Sequence, residues 1–268
     1  MLENPRSPRV RAVAKLTKRS ARTETGLFLL EGPQAVREAL AYRPDAVIEL
    51  FATPTSWDKH ADLHAVAADA GVDVEFVTEQ VLSAMADTVT PQGLVAVARQ
   101  TPASVREIFS AAPRLIAICE EVRDPGNLGT IIRAADAAGA DAVVLTGRTV
   151  DPFNPKVVRS TTGSLFHLPI SVGGDLADVV ERAHAAGLEV VAADVKGEDL
   201  LSARASGVLT RPTAWLFGNE ARGLTDEALG LADSALKVPI FGRAESLNLA
   251  TAASVCLYES AFAQRAQG

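Results

Sequence analysis

Aromatic residues and cysteines are scarce in this chain of 268 residues: aromatics make up 5%, and there are two cysteines. Cys119 and Cys256 lie in apolar segments and form no CxxC pair, which predicts buried thiols in a reducing cytosol rather than a disulfide framework. No apolar run approaches the ~18 residues that a membrane-spanning helix needs. Met1–Pro5 is followed by no apolar core of a signal peptide. We therefore expect a cytoplasmic protein without a membrane segment.

The sequence also lacks the common signatures of metal and nucleotide sites. His60 and His64 are spaced as neighbours on a helix, but no HExxH pattern or third ligand accompanies them, so no metal site is predicted. Gly173-Gly174-Asp175 is not the G-x-G-x-x-G of a dinucleotide-binding fold, and there is no P-loop. These absences disfavour a nucleotide-dependent oxidoreductase.

Charge is unevenly distributed along the chain. The net charge is −7, which argues weakly against a protein that binds nucleic acid over its whole surface. Residues 1–23, however, hold seven Lys or Arg residues against the single acid Glu3. A basic arm on an acidic body suits a protein that contacts phosphate groups in one place, and a merely solvated terminus is the alternative.

Strand-like and helix-like runs alternate in the first hundred residues, which predicts a small α/β layer. The segment Ser7–Thr25 indicates a short amphipathic helix. The predicted strands are Leu27–Leu30, Ala46–Phe51, Val72–Val77 and Leu94–Arg99, and the predicted helices are Gln34–Ala41, Trp57–Ala70 and Glu79–Ala86. Thr101–Pro113 carries two prolines and is the best candidate for a linker.

The alternation restarts at Arg114 and predicts a mostly parallel sheet covered by helices on both faces. The predicted strands are Leu115–Val122, Ala142–Leu145, Val190–Ala193, Trp215–Phe217 and Leu236–Ile240, and the predicted helices are Leu128–Ala138, Lys156–Thr162, Asp175–Ala186, Thr225–Leu231 and Leu247–Gln264. In the polar loop before the second of these helices, Phe153 is expected to pack against the body of the protein, and an RNA contact is the alternative.

Three stretches of this second half each follow an apolar, strand-like run. They are Asp124–Gly139 (DPGNLGTIIRAADAAG), Trp215–Leu224 (WLFGNEARGL) and Val238–Ser254 (VPIFGRAESLNLATAAS). Open α/β sheets place their ligands at the carboxyl ends of the strands, so the three stretches could form one site. Alone, the last is a strand-to-helix turn in which Ser246 or Asn248 caps the helix.

In this order, the patterns N-x-G-x-x-x-R, G-N-E-x-x-G-L and V-P-I-x-G-x-x-x-S-L-N resemble the signature of the SpoU-type RNA 2′-O-ribose methyltransferases of the SPOUT superfamily. The resemblance covers about residues 114–264. The segment FLLEGPQAVREAL, with Gln92-Gly93-Leu94, resembles the substrate-binding domain that often precedes this catalytic domain, a fold akin to small RNA-binding ribosomal proteins.

The resemblance implies an RNA-recognition domain over residues 1–103, including the basic arm, and a methyltransferase domain over residues 104–268. The second domain would be a mostly parallel α/β fold tied into a deep trefoil knot, through which the family dimerises. S-adenosylmethionine (AdoMet) would be the cofactor, and no metal is needed because AdoMet itself carries the electrophile.

The resemblance also implies which residues would hold AdoMet. The carried-over cofactor residues are Leu216, Phe217, Gly218, Val238, Ile240 and Leu247. Gly218 would let the backbone approach the adenosine because no Cβ intervenes. The alternative interpretation of the aliphatic members is ordinary core packing.

Five further residues are implied as catalytic: Arg133, Asn127, Glu220, Ser246 and Asn248. Arg133 matches the arginine assigned to activating the 2′-hydroxyl, although alone it is an ordinary solvated helix residue. A guanidinium is a poor base because its pKa exceeds ~12, so we favour stabilisation of the developing alkoxide, with an RNA phosphate as one candidate proton acceptor. Asn127 would shape the site or simply cap its helix, and Glu220 would hold the surrounding loops.

The resemblance thus implies AdoMet-dependent methylation of a ribose 2′-hydroxyl in structured RNA by a cytoplasmic homodimer. Ribosomal RNA is favoured over transfer RNA. The alternatives are a transfer RNA 2′-O-methyltransferase and a non-catalytic, ribosome-associated RNA-binding protein, the latter disfavoured by the intact motif residues.

Overall fold

The structure, a computed structural model, describes residues 1–266 and divides into two units. The N-terminal unit comprises Met1–Thr101 together with Asp151–His167. The C-terminal unit comprises Pro102–Val150 and the chain from Leu168 onward. The segment Asp151–His167 groups with the first unit although it lies within the second half of the chain.

The N-terminal unit is built on a four-stranded sheet. Its helices are α1 Pro8–Lys15, α2 Arg19–Thr25, α3 Pro33–Tyr42, α4 Pro54–Lys59, α5 Asp62–Asp69 and α6 Glu79–Met85, and its strands are β1 Leu27–Glu31, β2 Val47–Ala52, β3 Val74–Phe76 and β4 Leu94–Arg99. The strand order is β1-β4-β2-β3, with β4 antiparallel to both neighbours and β2 parallel to β3. The prediction of a small α/β layer is confirmed.

The predicted helix Trp57–Ala70 is wrong as a single element, because the structure breaks it between α4 and α5. The carbonyl of Trp57 accepts from the His60 backbone N–H at 3.1 Å and from the His64 ring at 2.9 Å. In a continuous helix that carbonyl would bond the N–H four residues on. The His64 ring also stacks on Trp57, with centroids 4.5 Å apart, which stabilises the break.

The N-terminal segment is a folded part of its unit, and the predicted helix Ser7–Thr25 is wrong as a single element, because the structure has two helices there, α1 and α2. Val10, Val13 and Leu16 are buried in the same core cluster as residues of α6, because the spacing of these apolar residues places them on one side of the segment. Arg22 is 2% exposed and pairs with Asp151 at 2.7 Å. Five other cations remain exposed without an ion pair within residues 1–266: Arg6, Arg11, Lys15, Lys18 and Arg19.

The rest of the chain adds seven helices and six strands within the described residues. The helices are α7 Val105–Ser110, α8 Pro125–Ala138, α9 Pro155–Thr161, α10 Leu176–Ala185, α11 Leu200–Ala205, α12 Asp226–Leu229 and α13 Leu249–Arg265, and the strands are β5 Leu115–Glu120, β6 Ala142–Thr146, β7 Ile170–Gly174, β8 Glu189–Asp199, β9 Thr213–Phe217 and β10 Ser234–Lys237. All six strands are parallel, in the order β10-β8-β9-β5-β6-β7.

Helices cover both faces of this sheet, as predicted. Successive residues of a strand point to opposite faces. On β9, Trp215 donates to Ser260 of α13 at 2.9 Å, whereas the next residue, Leu216, lies in the core cluster that contains Val179 and Val180 of α10. Helices α13 and α10 therefore lie on opposite sides of the sheet.

Two sequence assignments at the edges of this unit need correction. The predicted linker Thr101–Pro113 contains α7, which begins with a capping box between Ser104 and Glu107 and buries Ile108 and Phe109 in the core. The last strand ends at Lys237 rather than Ile240, because pairing with β8 stops there and the following residues turn towards solvent.

Helix α9 and its flanking residues pack within the N-terminal unit. Phe153 is 7% exposed and its ring lies 4.9 Å from that of Phe28 on β1, which confirms the predicted packing. Arg159 pairs with Glu31 at 3.1 Å and with Asp87 at 3.0 Å. These interactions, with the buried pair at Arg22, explain why the segment joins this unit.

Candidate active site

The three sequence motifs meet at the carboxyl ends of parallel strands in the C-terminal unit. Asn127 follows β5, Glu220 follows β9, and Asn248 follows β10. The Glu220 carboxylate accepts from Asn127 Nδ2 at 3.3 Å, and Asn127 Oδ1 accepts from Asn248 Nδ2 at 2.9 Å. The structure thus brings three of the five predicted catalytic residues into one chain of hydrogen bonds.

Glu220 also holds the loop that leads into α8. Its two carboxylate oxygens accept from the backbone N–H of Arg123 at 3.1 Å and of Asp124 at 2.9 Å. Hydrogen bonds to a charged acceptor are stronger than neutral ones. Glu220 therefore ties the end of β9 to the start of α8.

Helix capping separates the roles of the candidate residues. Asp124, not Asn127, caps α8 by accepting from the backbone N–H of Asn127 at 2.8 Å. Asn248 caps α13, and its Oδ1 accepts from Ala250 N at 2.9 Å and Thr251 N at 3.3 Å. The Asn248 side chain thereby uses its oxygen for the helix and its nitrogen for Asn127. Ser246 is exposed and makes no hydrogen bond to the described residues.

Arg133 lies on the exposed side of α8 and outside this hydrogen-bond chain. Six residues separate it from Asn127, which corresponds to ~240° around an α-helix, so the two side chains leave α8 in different directions. Within residues 1–266 its guanidinium makes no hydrogen bond or ion pair. It is therefore available to an external anion.

The predicted cofactor residues fall into two groups. Leu216 and Phe217 are fully buried, so only their backbone at the end of β9 can meet a ligand. Val238 is half-buried, whereas Ile240 and Leu247 are each 37% exposed. The second group thus presents apolar side chains on an exposed loop.

Gly218 has a structural explanation that the sequence did not reveal. A Cβ at this position would lie 2.6 Å from the carbonyl carbon of Gly223 and 2.7 Å from the backbone nitrogen of Leu224. The chain returns here because Asn219 and Gly223 exchange backbone hydrogen bonds of 3.1 and 2.9 Å. Glycine is therefore required by the fold of this loop itself.

The loop from Val238 to Leu247 has the properties that an adenosine site needs. Within the described chain, none of its backbone N–H or C=O groups makes a hydrogen bond. An adenine edge is read by one donor and one acceptor, which a bare backbone supplies, and Ile240 and Leu247 add apolar surface beside it. The residues present thus fit a nucleoside-containing cofactor such as AdoMet.

Sequence reasoning missed Glu121, at the end of β5. Its φ is +52°, a conformation that is uncommon for residues other than glycine and that clusters at functional sites. Its carbonyl accepts from Asn219 Nδ2 at 2.9 Å, and its carboxylate pairs with Arg123 and Arg222. The signal was its place, immediately after a buried strand and before the Asp124 motif.

The two cysteines are buried and free, as predicted. Burial, with a smaller contribution from the charge of Glu220, raises the pKa of Cys119 to about 12. Burial raises the pKa of Cys256 to about 12 as well. Both therefore stay protonated at neutral pH and are unsuited to nucleophilic chemistry.

Two kinds of feature are absent from residues 1–266. No helix there is long and apolar enough to cross a membrane. In the same part of the chain, no group of three or more His, Cys, Asp or Glu side chains is arranged to hold a metal ion.

Comparison with known proteins identifies the family. Residues 114–258, more than half of the chain, match the SpoU rRNA Methylase family. The chain belongs to this family. Residues 7–96 match the MRM3-like substrate binding domain. The SpoU match contains Asn127, Glu220 and Asn248, so the hydrogen-bond chain joins parts of one family domain.

Named SpoU relatives match nearly the whole chain. The 23S rRNA (guanosine(2553)-2′-O)-methyltransferase RlmP of Bacillus subtilis (strain 168) is 34% identical over 96% of this chain and 97% of its own length. The 23S rRNA (uridine(2479)-2′-O)-methyltransferase of Streptomyces viridochromogenes is 32% identical over 95% of this chain and 89% of its own.

Solved structures agree with the fold. The AdoMet-bound rRNA methyltransferase from Sinorhizobium meliloti superimposes with a TM-score of 0.82 at 34% identity, covering 97% of this chain and 96% of that one. The SpoU methyltransferase AviRb from Streptomyces viridochromogenes, in complex with AdoMet, gives a TM-score of 0.81 at 30% identity over 98% and 100% of the two chains.

Proposed function

We propose that this SpoU-family protein transfers the methyl group of AdoMet to a ribose 2′-hydroxyl of ribosomal RNA. The observation that carries the proposal is the hydrogen-bond chain Glu220–Asn127–Asn248, which joins the three family motifs at the carboxyl ends of one parallel sheet. Two further findings support the same activity. Relatives named as 23S rRNA 2′-O-methyltransferases match nearly the full length of the chain, and so do solved structures of methyltransferases with AdoMet bound.

We assign the cofactor to the loop from Val238 to Leu247 and the adjoining ends of β9 and β10. AdoMet supplies an activated methyl group on its sulfonium sulfur. The free backbone groups of the loop would hold the adenine edge, with Val238, Ile240 and Leu247 as apolar walls. Leu216, Phe217 and Gly218 would contribute backbone only, because the first two side chains are buried and the third is absent.

We assign catalysis to residues around this loop. Glu220, Asn127 and Asn248 hold the three motif loops in register, and the exposed hydroxyl of Ser246 is free to bond the ribose or the cofactor. Arg133 stabilises the negative charge that develops on the 2′-oxygen, since a guanidinium cannot accept its proton near neutral pH. Preorganised donors of this kind contribute through charge that appears only in the transition state.

We further propose that residues 1–103 recognise the RNA and that residues 104–268 carry the methyl transfer. The match to a substrate-binding domain and the exposed cations of the first 19 residues support the first assignment. Phosphate contacts provide affinity, and folded loops with unstacked bases provide specificity in RNA.

The assembly is proposed to be a cytoplasmic homodimer whose C-terminal unit forms the deep trefoil knot of the superfamily. The exposed face of α13 supports the dimer: Tyr258 is 36% and Phe262 54% exposed, and their rings lie 5.5 Å apart. Paired exposed aromatics are more typical of an interface than of a free surface.

The direct test is methylation of unmodified 23S rRNA transcript by the purified protein with AdoMet, followed by mapping of 2′-O-methyl groups. One modified nucleotide, absent from cellular RNA when the protein is missing, is the expected result. A transfer RNA substrate would appear as methylation of bulk tRNA only. AdoMet binding without methylation of either RNA would favour the non-catalytic alternative, and calorimetric binding of NAD in place of AdoMet would reject the assignment.

A further inference from the structure

The N-terminal unit contains a pocket of about 340 Å³ that the methyl-transfer site does not use. Residues lining it include Pro33, Ser56, Lys59, His60, Glu79 and Gln92. They come from the starts of α3 and α6, from α4 and its end, and from the loop before β4. The volume falls within the range of roughly 300–1,000 Å³ of sites that hold small molecules.

Close packing of the backbone builds the floor of this pocket. Gly93 has φ +81°, and a Cβ there would overlap the Cβ of Ser56. Ser56 Oγ donates to the carbonyl of Gln92 at 2.9 Å, and the backbone N–H of Thr53 donates to the carbonyl of Gly93 at 3.0 Å. Ser56 and Thr53 are buried. The pocket is therefore formed without a ligand.

The rim of the pocket carries four polar side chains that do not bond to other described residues of the protein. Within residues 1–266, the side chains of Lys59, His60, Glu79 and Gln92 make no hydrogen bond or ion pair. They offer a cation, an aromatic ring with two nitrogens, a carboxylate acceptor and an amide. This set matches a nucleotide: an ammonium binds a phosphate, whereas amide and carboxylate groups read base edges and a histidine ring stacks on a base.

The loop beside the pocket points to a polymer rather than a free nucleotide. The Glu31 carboxylate accepts hydrogen bonds from the backbone N–H of Thr88 at 3.1 Å and from the Thr88 hydroxyl at 2.7 Å. The next residue, Val89, is 98% exposed. An anchored loop that presents an aliphatic side chain to solvent offers a surface for the neighbouring base of a chain.

We infer that this pocket receives one unstacked nucleotide of the substrate RNA, with its phosphate on Lys59 and its base between Gln92, Glu79 and His60. The inference rests on the proposed function for the identity of the RNA. It adds a base-reading site to the phosphate contacts of the N-terminal segment. The site would select the RNA loop before methyl transfer and would not take part in the chemistry.

The test compares the full-length protein with Lys59→Ala and Gln92→Ala, using Lys196→Ala as the matched control. Lys196 is an exposed lysine of the C-terminal unit without an ion pair in the described structure. Binding to unmodified 23S rRNA transcript should weaken about tenfold in Gln92→Ala, the scale of removing one base-edge interaction, and by a similar factor in Lys59→Ala, which removes a phosphate contact. AdoMet affinity, melting temperature and single-turnover rate at saturating RNA should stay near wild-type values.

Chemical probing gives a second readout. In the wild-type complex, one base should be protected: an adenine or cytosine against dimethyl sulfate, or a guanine against a kethoxal-type reagent. That protection should be absent from the Gln92→Ala complex. Unchanged RNA affinity and protection in both variants would overturn the proposal. So would binding of free AMP, CMP, GMP or UMP to the pocket more tightly than the RNA, because the pocket would then serve a soluble nucleotide.

These outcomes separate the pocket from the enzymatic activity. A wild-type protein that methylates the transcript while its pocket variants bind RNA normally rejects the pocket and keeps the proposed function. The opposite outcome is a wild-type protein that methylates no rRNA while Lys59→Ala and Gln92→Ala bind RNA more weakly than it does. That outcome rejects the proposed function and keeps the pocket.

Discussion

Asn127 and Asn248 lie 121 positions apart in the chain and are joined by a hydrogen bond of 2.9 Å from Nδ2 of Asn248 to Oδ1 of Asn127. This bond connects the first turn of α8 to the cap of α13. Because Asn127 also donates to Glu220, the bond completes a link among the ends of β5, β9 and β10. The candidate active site is therefore held by side chains, at a place where the backbones of three loops make few bonds to one another.

Substitution Asn248→Asp separates the two tasks of this residue. The aspartate keeps an oxygen to cap α13, and its charge is favourable at a helix N-terminus, but it cannot donate to Asn127. We expect an unchanged or raised melting temperature together with about a tenfold lower rate of single-turnover methylation. The double variant with Asn127→Ala should lose less activity than the sum of the two single variants, since the bond that they share is removed only once. Additive decreases would show that the bond is not the functional element.

Arg133→Ala should lower single-turnover methylation by ~10²-fold or more while leaving AdoMet affinity within a few-fold, as expected when a preorganised charge is removed from the transition state. Its exposure and lack of partners within the described chain predict a stability change within about 0.5 kcal/mol. Arg133→Lys should recover little, because an ammonium lacks the planar fork.

The matched control for this arginine is Arg106→Ala on α7, where another exposed arginine makes no ion pair in the described structure. It should methylate at the wild-type rate. Near-normal methylation by Arg133→Ala would reduce Arg133 to a surface residue and shift the catalytic assignment to Asn127, Glu220 or Ser246.

Gly218→Ala should destabilise the fold, because its Cβ would lie 2.6 Å from the carbonyl carbon of Gly223. Overpacking of this kind costs typically ~1–3 kcal/mol, which corresponds to a fall of roughly 2–12 °C in melting temperature for a protein of this size. Gly242→Ala is the control, since nothing lies within 4 Å of a Cβ there. Equal melting temperatures for the two variants would contradict the packing explanation.

Replacing Arg11, Lys15, Lys18 and Arg19 together by Gln should weaken RNA binding. The slope of log K against log salt concentration should become shallower by about 0.7–0.9 for each phosphate that is no longer bound. Substitution is preferable to deletion of residues 1–23, because deletion would uncover the core around Val10 and Leu16. AdoMet titration is the control and should be unaffected. A salt slope equal to that of the wild type would make these cations a solvated surface only.

Much of the C-terminal unit could be predicted from short-range patterns. Buried parallel strands are continuous apolar runs, so β5, β6 and β9 were located within two residues of their observed bounds. Asn248 was one of two predicted caps for α13, since capping depends on residues two or three positions away. Two helix boundaries could not be predicted in this way. The end of α4 depends on the His64 ring, and α7 lies within a segment that its prolines indicate as a linker.

Only the tertiary structure decided which of these residues meet. Arg22, one of seven cations in a basic segment, is buried because Asp151, 129 positions later, supplies its partner. The segment Asp151–His167 joins the N-terminal unit through that pair and through Phe28. The sequence by itself determined the strands, the turns and the motif order, because these follow from periodicity and local hydrogen bonds. The bond between Asn127 and Asn248, the packing that requires Gly218 and the pocket beside Gly93 depend on groups brought together only when the sheets assemble, and no local pattern encodes such distances.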